Sequence, residues 1–134
     1  MDTAFLVISL FLPRTTLVIY YFFLQIPFNT LPWIGDFLLT INNSGVAFCY
    51  EAATGKALWQ EKLGRHHASP VLIEGLVFFI NDDGQVNVIR PAARFERVAQ
   101  YEMGESCYAS PAISNGQVFL RGFQHLFCFG RKFD

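Results

Sequence analysis

Ala68-Ser69-Pro70-Val71-Leu72-Ile73-Glu74-Gly75-Leu76-Val77-Phe78-Phe79-Ile80-Asn81-Asp82-Asp83-Gly84-Gln85-Val86-Asn87-Val88-Ile89 carries the pattern on which the fold turns. Val71 to Ile73, Leu76 to Ile80 and Gln85 to Ile89 are short runs rich in β-branched and aromatic residues, and Phe95 to Tyr101 is a fourth. Such runs favour a pleated, half-buried backbone. Glu74-Gly75, Asp82-Asp83-Gly84 and Arg90-Pro91-Ala92 separate them. Asn or Asp followed by Gly supplies the positive φ angles that two-residue hairpin turns require, so Asn81 to Gly84 is expected to close such a turn.

Moving outward, the stretch repeats. Ala68-Ser69-Pro70 recurs 41 residues later as Ala109-Ser110-Pro111, each followed by an apolar run and a glycine, Gly75 and Gly116. Gly64 recurs at Gly104, and Ile41-Asn42-Asn43-Ser44-Gly45 is answered by Ile80-Asn81-Asp82-Asp83-Gly84. Four short strands at a period near forty residues is the spacing of a β-propeller blade, whose radial stacking buries both faces of each sheet. Leu76 to Ile80, apolar on both faces, fits that burial. A β-sandwich is the rival architecture. The strands expected are three after Asp36, four from Ala68 to Tyr101 and three from Ala109 to Phe129, with the first unit lacking a clear inner strand. A closed propeller needs at least about four blades. The fold expected is therefore all-β, an incomplete arc of four-stranded antiparallel blades.

Charge divides the chain. Residues 1 to 35 hold only Asp2 and Arg14, which places a boundary near Pro32 to Asp36. The expected organisation is an apolar segment over 1–33 and propeller repeats over 34–134. Ala4 to Leu24 is dominated by Leu, Ile, Val and Phe, interrupted by Pro13, Arg14, Thr15 and Thr16. Each apolar side chain favours membrane insertion by about 0.3–0.6 kcal/mol, while one central Arg opposes it by about 2.5–3.5 kcal/mol. A membrane-associated helix, an element packed on the repeats and a non-native start all remain open. The chain begins Met1-Asp2, without the positive charge that opens a secretory signal. Across the whole chain, 52% hydrophobic content and 15 Phe exclude a disordered tail, and a net charge of -1 gives no footprint for nucleic acid.

Glu51-Ala52-Ala53-Thr54-Gly55-Lys56-Ala57-Leu58-Trp59 resembles the tryptophan-docking motif of pyrroloquinoline-quinone-type propeller repeats, Asp-Ala-x-Thr-Gly-x-x-x-Trp, with Glu51 in place of the leading Asp. The resemblance covers roughly Trp33 to Lys132 and implies that Thr54 and Gly55 form the turn between third and fourth strands. It also implies that Trp59 packs against the adjacent blade. The second unit departs from the pattern, with Arg94-Phe95 in place of Thr54-Gly55 and Ala99 in place of Trp59.

Quinoprotein dehydrogenases of this repeat type use adjacent cysteines and an acidic calcium cluster around the quinone. Cys49, Cys107 and Cys128 are nowhere adjacent. Cys49 and Cys128 are expected in third strands as small buried hydrophobes, and Cys107 in the loop before Ala109, where a thiol reagent would reach it first. Arg65-His66-His67 is read as an ordinary solvated loop, Asp82-Asp83 as turn chemistry, and Glu61 and Glu102 as solvent-facing charges on outer strands. No catalytic residue, cofactor or metal is expected. The function expected is a non-catalytic scaffold of an extracytoplasmic compartment, resembling outer-membrane assembly lipoproteins of the same repeat type. Its partners would be other proteins or further blades, with membrane association or homo-oligomer formation left open. The alternatives are a fragment of a quinoprotein dehydrogenase and a small membrane-anchored structural protein.

Overall fold

The computed structural model describes residues 32–130, so the expectations for the apolar segment fall outside the described residues up to position 31. Every regular element described is a strand, in the order β1 Trp33–Ile34, β2 Phe37–Ile41, β3 Val46–Glu51, β4 Ala57–Lys62, β5 Val71–Ile73, β6 Leu76–Ile80, β7 Gln85–Ile89, β8 Arg97–Glu102, β9 Ala112–Ser114, β10 Gln117–Arg121 and β11 Leu126–Gly130. They form three antiparallel sheets in simple meander order, β1-β2-β3-β4, β5-β6-β7-β8 and β9-β10-β11. Three successive sheets in an open arc replace the two facing sheets that a sandwich would need.

The first sheet is complete, correcting the expectation of a missing inner strand. Trp33 and Ile34 pair with Leu38 and Phe37 across a tight turn at Gly35, where φ is 56°. Two residues are too few to give a sequence period, which hides β1. The fourth strand of the second sheet starts at Arg97 instead of Phe95. Asn81 to Gly84 also differs from the two-residue expectation. Asn81 pairs with Gln85 through Asn81 N–H to Gln85 carbonyl, leaving Asp82-Asp83-Gly84 as a three-residue loop with Gly84 at φ 86°. This is the turn-plus-left-handed-residue geometry of three-residue hairpins. The side chains of Asn42 and Asn81 brace their own turns by accepting the Val46 and Gln85 N–H groups at 2.9 and 2.8 Å. True two-residue turns occur at Glu74-Gly75 and Asn115-Gly116, where all four φ angles are positive.

The sheets stack face to back. Leu39, Ile41, Ala47 and Cys49 on the first sheet bury against Val77, Phe79 and Ile89 on the second. The other face of the second sheet, with Ile80, Val86 and Val88, meets Leu120 and Phe127 of the third. Fully burying a large aliphatic or aromatic side chain contributes about 1.5–3 kcal/mol, so these two interfaces hold the arc together. The outer strands repeat even in their irregularity: each pairing shifts register at equivalent points, between Cys49 and Tyr50 and between Val88 and Ile89.

Candidate functional site

Two regions join the blades and gather the chemically interesting side chains. On one rim lies the segment with the docking-motif resemblance. Gly55, at φ 72°, donates its N–H to the Glu51 carbonyl at 2.8 Å, and the Thr54 hydroxyl donates to the Glu51 carboxylate, so Glu51 supplies the acceptor that the family's Asp would bring. Trp59 sits on β4 opposite Cys49. Its indole N–H donates to the Ala92 carbonyl at 2.9 Å, and the Cys49 thiol reaches the same oxygen at 3.7 Å. Ala92 belongs to the loop between β7 and β8, so both contacts cross to the next sheet. Phe95 from that loop meets the indole edge-on at 5.2 Å between ring centres, with the Arg97 guanidinium over its outer side at 5.6 Å. Burial pushes the Cys49 thiol up to about 11. On the second sheet, Ala99 pairs with Val88 at the place corresponding to Trp59, and no indole is present there.

The opposite rim is built by the linkers between sheets. Leu63 N–H donates to the Gly45 carbonyl at 2.7 Å, His66 N–H to Asn43 at 3.4 Å, and Asp82 N–H to Arg65 at 2.8 Å. The next junction repeats all three: Met103 to Gly84 at 2.9 Å, Cys107 to Asp82 at 3.1 Å, and Phe123 to Ser106 at 2.9 Å. The approach is so close that a Cβ on Gly45 would lie 1.8 Å from the Gly64 oxygen, and one on Gly84 2.0 Å from the Glu105 oxygen.

Three expectations are corrected here, two of them on this rim. His66 is fully buried instead of solvated, because the linker folds its ring edge-on against Phe79 and Nδ1 donates to the Gly64 carbonyl. Burial holds its imidazole below the usual range, against the opposing pull of the Gly64 hydrogen bond and the Asp82 charge, while Nε2 has no hydrogen-bond partner among the described residues. Cys107, at the equivalent place in the next linker, is buried too, with its thiol directed to the Glu105 carbonyl at 3.6 Å. Its thiol is pushed up by burial and then by the Glu105 charge. Cys128 is exposed, although it lies on a third strand as expected. It corresponds to Cys49 and Val88, whose face is covered by the next sheet; among the described residues no sheet follows the third.

Two carboxylate–imidazole pairs pin the rim with reversed polarity. Asp82, on a turn, receives His67 Nδ1 at 2.9 Å and lies 3.8 Å from Arg65, both on the linker. Glu105, on the next linker, receives His125 Nδ1 at 2.7 Å and the backbone N–H groups of Gln124 and His125 at 3.1 and 2.9 Å. The His125 side-chain bond is the main reason the Glu105 carboxyl sits below its ordinary value. Sequence reading missed Glu105, since a lone Glu in a loop carries no spacing signal. Asp82 and Asp83 do sit in a turn, and Glu61 and Glu102 do face solvent. Among the described residues no three potential ligands cluster around a metal position. Tyr108, with its ring against His67, and Phe123 are 52% and 72% exposed on this rim. At the other rim an open cleft of about 1000 Å³ separates the second and third sheets, lined by Ile73, Phe78, Val118 and Phe129 with Glu74 and Asn115.

No protein-family model matches the chain, and no curated protein matches its sequence. Solved structures do match its fold. BamB from Moraxella catarrhalis aligns with a TM-score of 0.63 at 20% identity, over 75% of this chain and 34% of that one. The quinohemoprotein alcohol dehydrogenase ADHIIG from Pseudomonas putida HK5 aligns at 0.56 and 15% identity, over 69% of this chain and 16% of that one. The chain thus spans about a third or less of the structures it matches. Its repeated blades, stacked face to back and joined by linkers of one design, have the fold of a pyrroloquinoline-quinone-type propeller, present here as an open arc.

Proposed function

We propose that this chain is a non-catalytic scaffold whose linker rim binds other proteins in an extracytoplasmic compartment. The observation that carries the reading is the exposure of Tyr108 and Phe123 on a rim fixed by repeated backbone hydrogen bonds. Exposed aromatic side chains on a rigid frame suit protein recognition, since they bring large contact area at low entropic cost. The likeness to BamB supports the reading, as does the resemblance to outer-membrane assembly lipoproteins. In this proposal Thr54, Gly55 and Trp59 serve structure by docking one blade on the next. The apolar segment expected over 1–33, whose last residue Trp33 pairs with Leu38 in the first sheet, would in this proposal bring the repeats of 34–134 to a membrane. Photo-crosslinkers placed at Tyr108 and at Phe123 in the native host should capture a common envelope protein, and the same probe on exposed Glu61 should not. Equal capture from all three sites would refute a rim-specific role.

The likeness to a quinohemoprotein dehydrogenase favours one alternative, a part of a quinone-dependent enzyme. Titrating pyrroloquinoline quinone with calcium separates the two readings: saturable binding with a shifted absorbance, together with alcohol-dependent dye reduction, would support the enzyme.

A further inference from the structure

The two outward faces of the arc differ. Leu126 and Cys128, which point away from the second sheet, are exposed, Leu126 by 67%. The outward face of the first sheet is hidden instead. Side chains alternate across a strand, so with Leu39 and Ile41 turned to the second sheet, Leu38 and Thr40 point the other way, as do their register partners Tyr50 and Phe48. Leu38 is 4% exposed and Thr40 1%, and Phe48 and Tyr50 are half-buried, their rings stacked at 6.0 Å. Burial pushes the Tyr50 phenol above its ordinary value, and the Thr40 hydroxyl has no hydrogen-bond partner among the described residues. Val77 and Phe79, at the matching places of the second sheet, are as deeply buried because the first sheet covers them. No described sheet covers Leu38 and Thr40 in that way.

We infer that the chain's own segment 1–31 docks on this face, over Leu38, Thr40, Phe48 and Tyr50, where a preceding blade would otherwise lie. The structure is of one chain, so whatever hides Leu38 and Thr40 belongs to that chain and not to a second copy. Only 1–31 and 131–134 lie outside the described residues. Residues 131–134 follow the third sheet, two sheet spacings of about 10 Å each from the first, and four residues reach at most about 14 Å. Segment 1–31 leads directly into β1, beside Leu38, and its many Leu, Ile, Val and Phe side chains suit an apolar face. Leu38 and Thr40 lie about 7 Å apart along β2, a length that two helical turns or three to four strand residues exceed. Docking thus takes part of the segment and leaves the rest for the membrane contact proposed above. It goes beyond the scaffold reading and does not depend on any partner protein.

The test uses the full chain in its native host. In a Cys128→Ser background, Thr40→Cys should react with a membrane-permeant maleimide roughly tenfold or more slowly than Leu126→Cys, since a covered thiol reacts only when its cover lifts. Far-ultraviolet circular dichroism of purified Thr40→Cys checks that its sheets remain. Comparable rates at the two positions would overturn the inference. A photo-crosslinker in place of Phe48 gives a second measurement that needs no change at Thr40. It should join to residues 1–31 of the same chain, identified by peptide mass, whereas the same probe in place of Leu126 should not. A co-expressed copy with a different tag separates links within one chain from links between two. Links from Phe48 to the second copy, to another protein or to lipid, or no link into residues 1–31, would overturn docking by this segment. None of these results bears on capture of another protein at Tyr108 and Phe123, so the two readings fail separately.

Discussion

The Trp59 indole on the first sheet and the Ala92 carbonyl on the second are joined by a 2.9 Å hydrogen bond, and the loop that carries Ala92 also brings Phe95 to the indole's edge. One aromatic side chain therefore couples two blades by both a polar and an apolar contact. Trp59→Ala should lower stability by about 3 kcal/mol in chemical denaturation, near the low end for large aromatic truncations because the ring is only half-buried. Trp59→Phe, which keeps a ring but loses the donor, should lose about 1 kcal/mol.

Phe95 is the receiving half of this contact, so its truncation is not an independent control. Phe95→Ala should cost less than Trp59→Ala, and the double variant should cost less than the two losses added, by about 0.5–1.5 kcal/mol. Strict additivity in the double-mutant cycle would show that the two rings do not stabilise one another.

Thiol labelling of the folded protein should follow exposure. Cys128 reacts first, while Cys49, with its thiol held near 11, and Cys107 react only as the protein opens. Mass spectrometry of peptides after brief exposure to a maleimide checks the order. Rapid modification of Cys107 would contradict its burial in the second junction.

Glycines in the turns at the two rims should differ sharply in tolerance. Gly84→Ala forces a Cβ against the Glu105 backbone and should cost about 3 kcal/mol or more, since backbone on both sides must shift. Gly75 has an equally positive φ, 79°, but nothing near its added carbon, so Gly75→Ala should cost only about 1–2 kcal/mol. Thermal unfolding of the two variants distinguishes contact from strain.

Acid should destabilise the chain in two stages. The buried His66 imidazole has a folded value below its ordinary 6.5, so the unfolded chain binds the proton more readily and stability falls as pH drops below about 6.5. Glu105 also has a folded value below its ordinary 4.5; its contribution is present above that pH and is lost as pH falls further. Denaturation midpoints measured from pH 8 to 3 should show both limbs. His66→Gln should flatten the upper one, and Glu105→Gln the lower one.

The period of the blades was legible because Ala-Ser-Pro and Asn-x-x-Gly each occur twice about forty residues apart, marking linker and turn, and because strands such as Leu76 to Ile80 are apolar on both faces. The inner strand β1 was not, since two residues cannot display an alternation. Which cysteine is covered was also hidden: Cys49 and Cys128 occupy matching strand positions, and only the presence of a following sheet decides their exposure. His66 looked like a loop residue because its burial comes from a linker folding over Phe79, a long-range contact that neighbouring residues do not encode. The Ala92 carbonyl had no signature at all, as every residue carries one.

The three hydrogen bonds repeated at the two junctions are made by main-chain atoms, and beyond the shared glycines Gly45 and Gly84 the side chains at matching places differ. Where one junction has Gly64, His66 and Asp82, the other has Glu105, Cys107 and Phe123. A blade joined in this way can vary at most positions of the joint without losing its seat. The joint thus depends on chain path, with glycine required only where a Cβ would meet the neighbouring backbone, and such a joint is compatible with a shared fold over three-quarters of the chain at 20% identity.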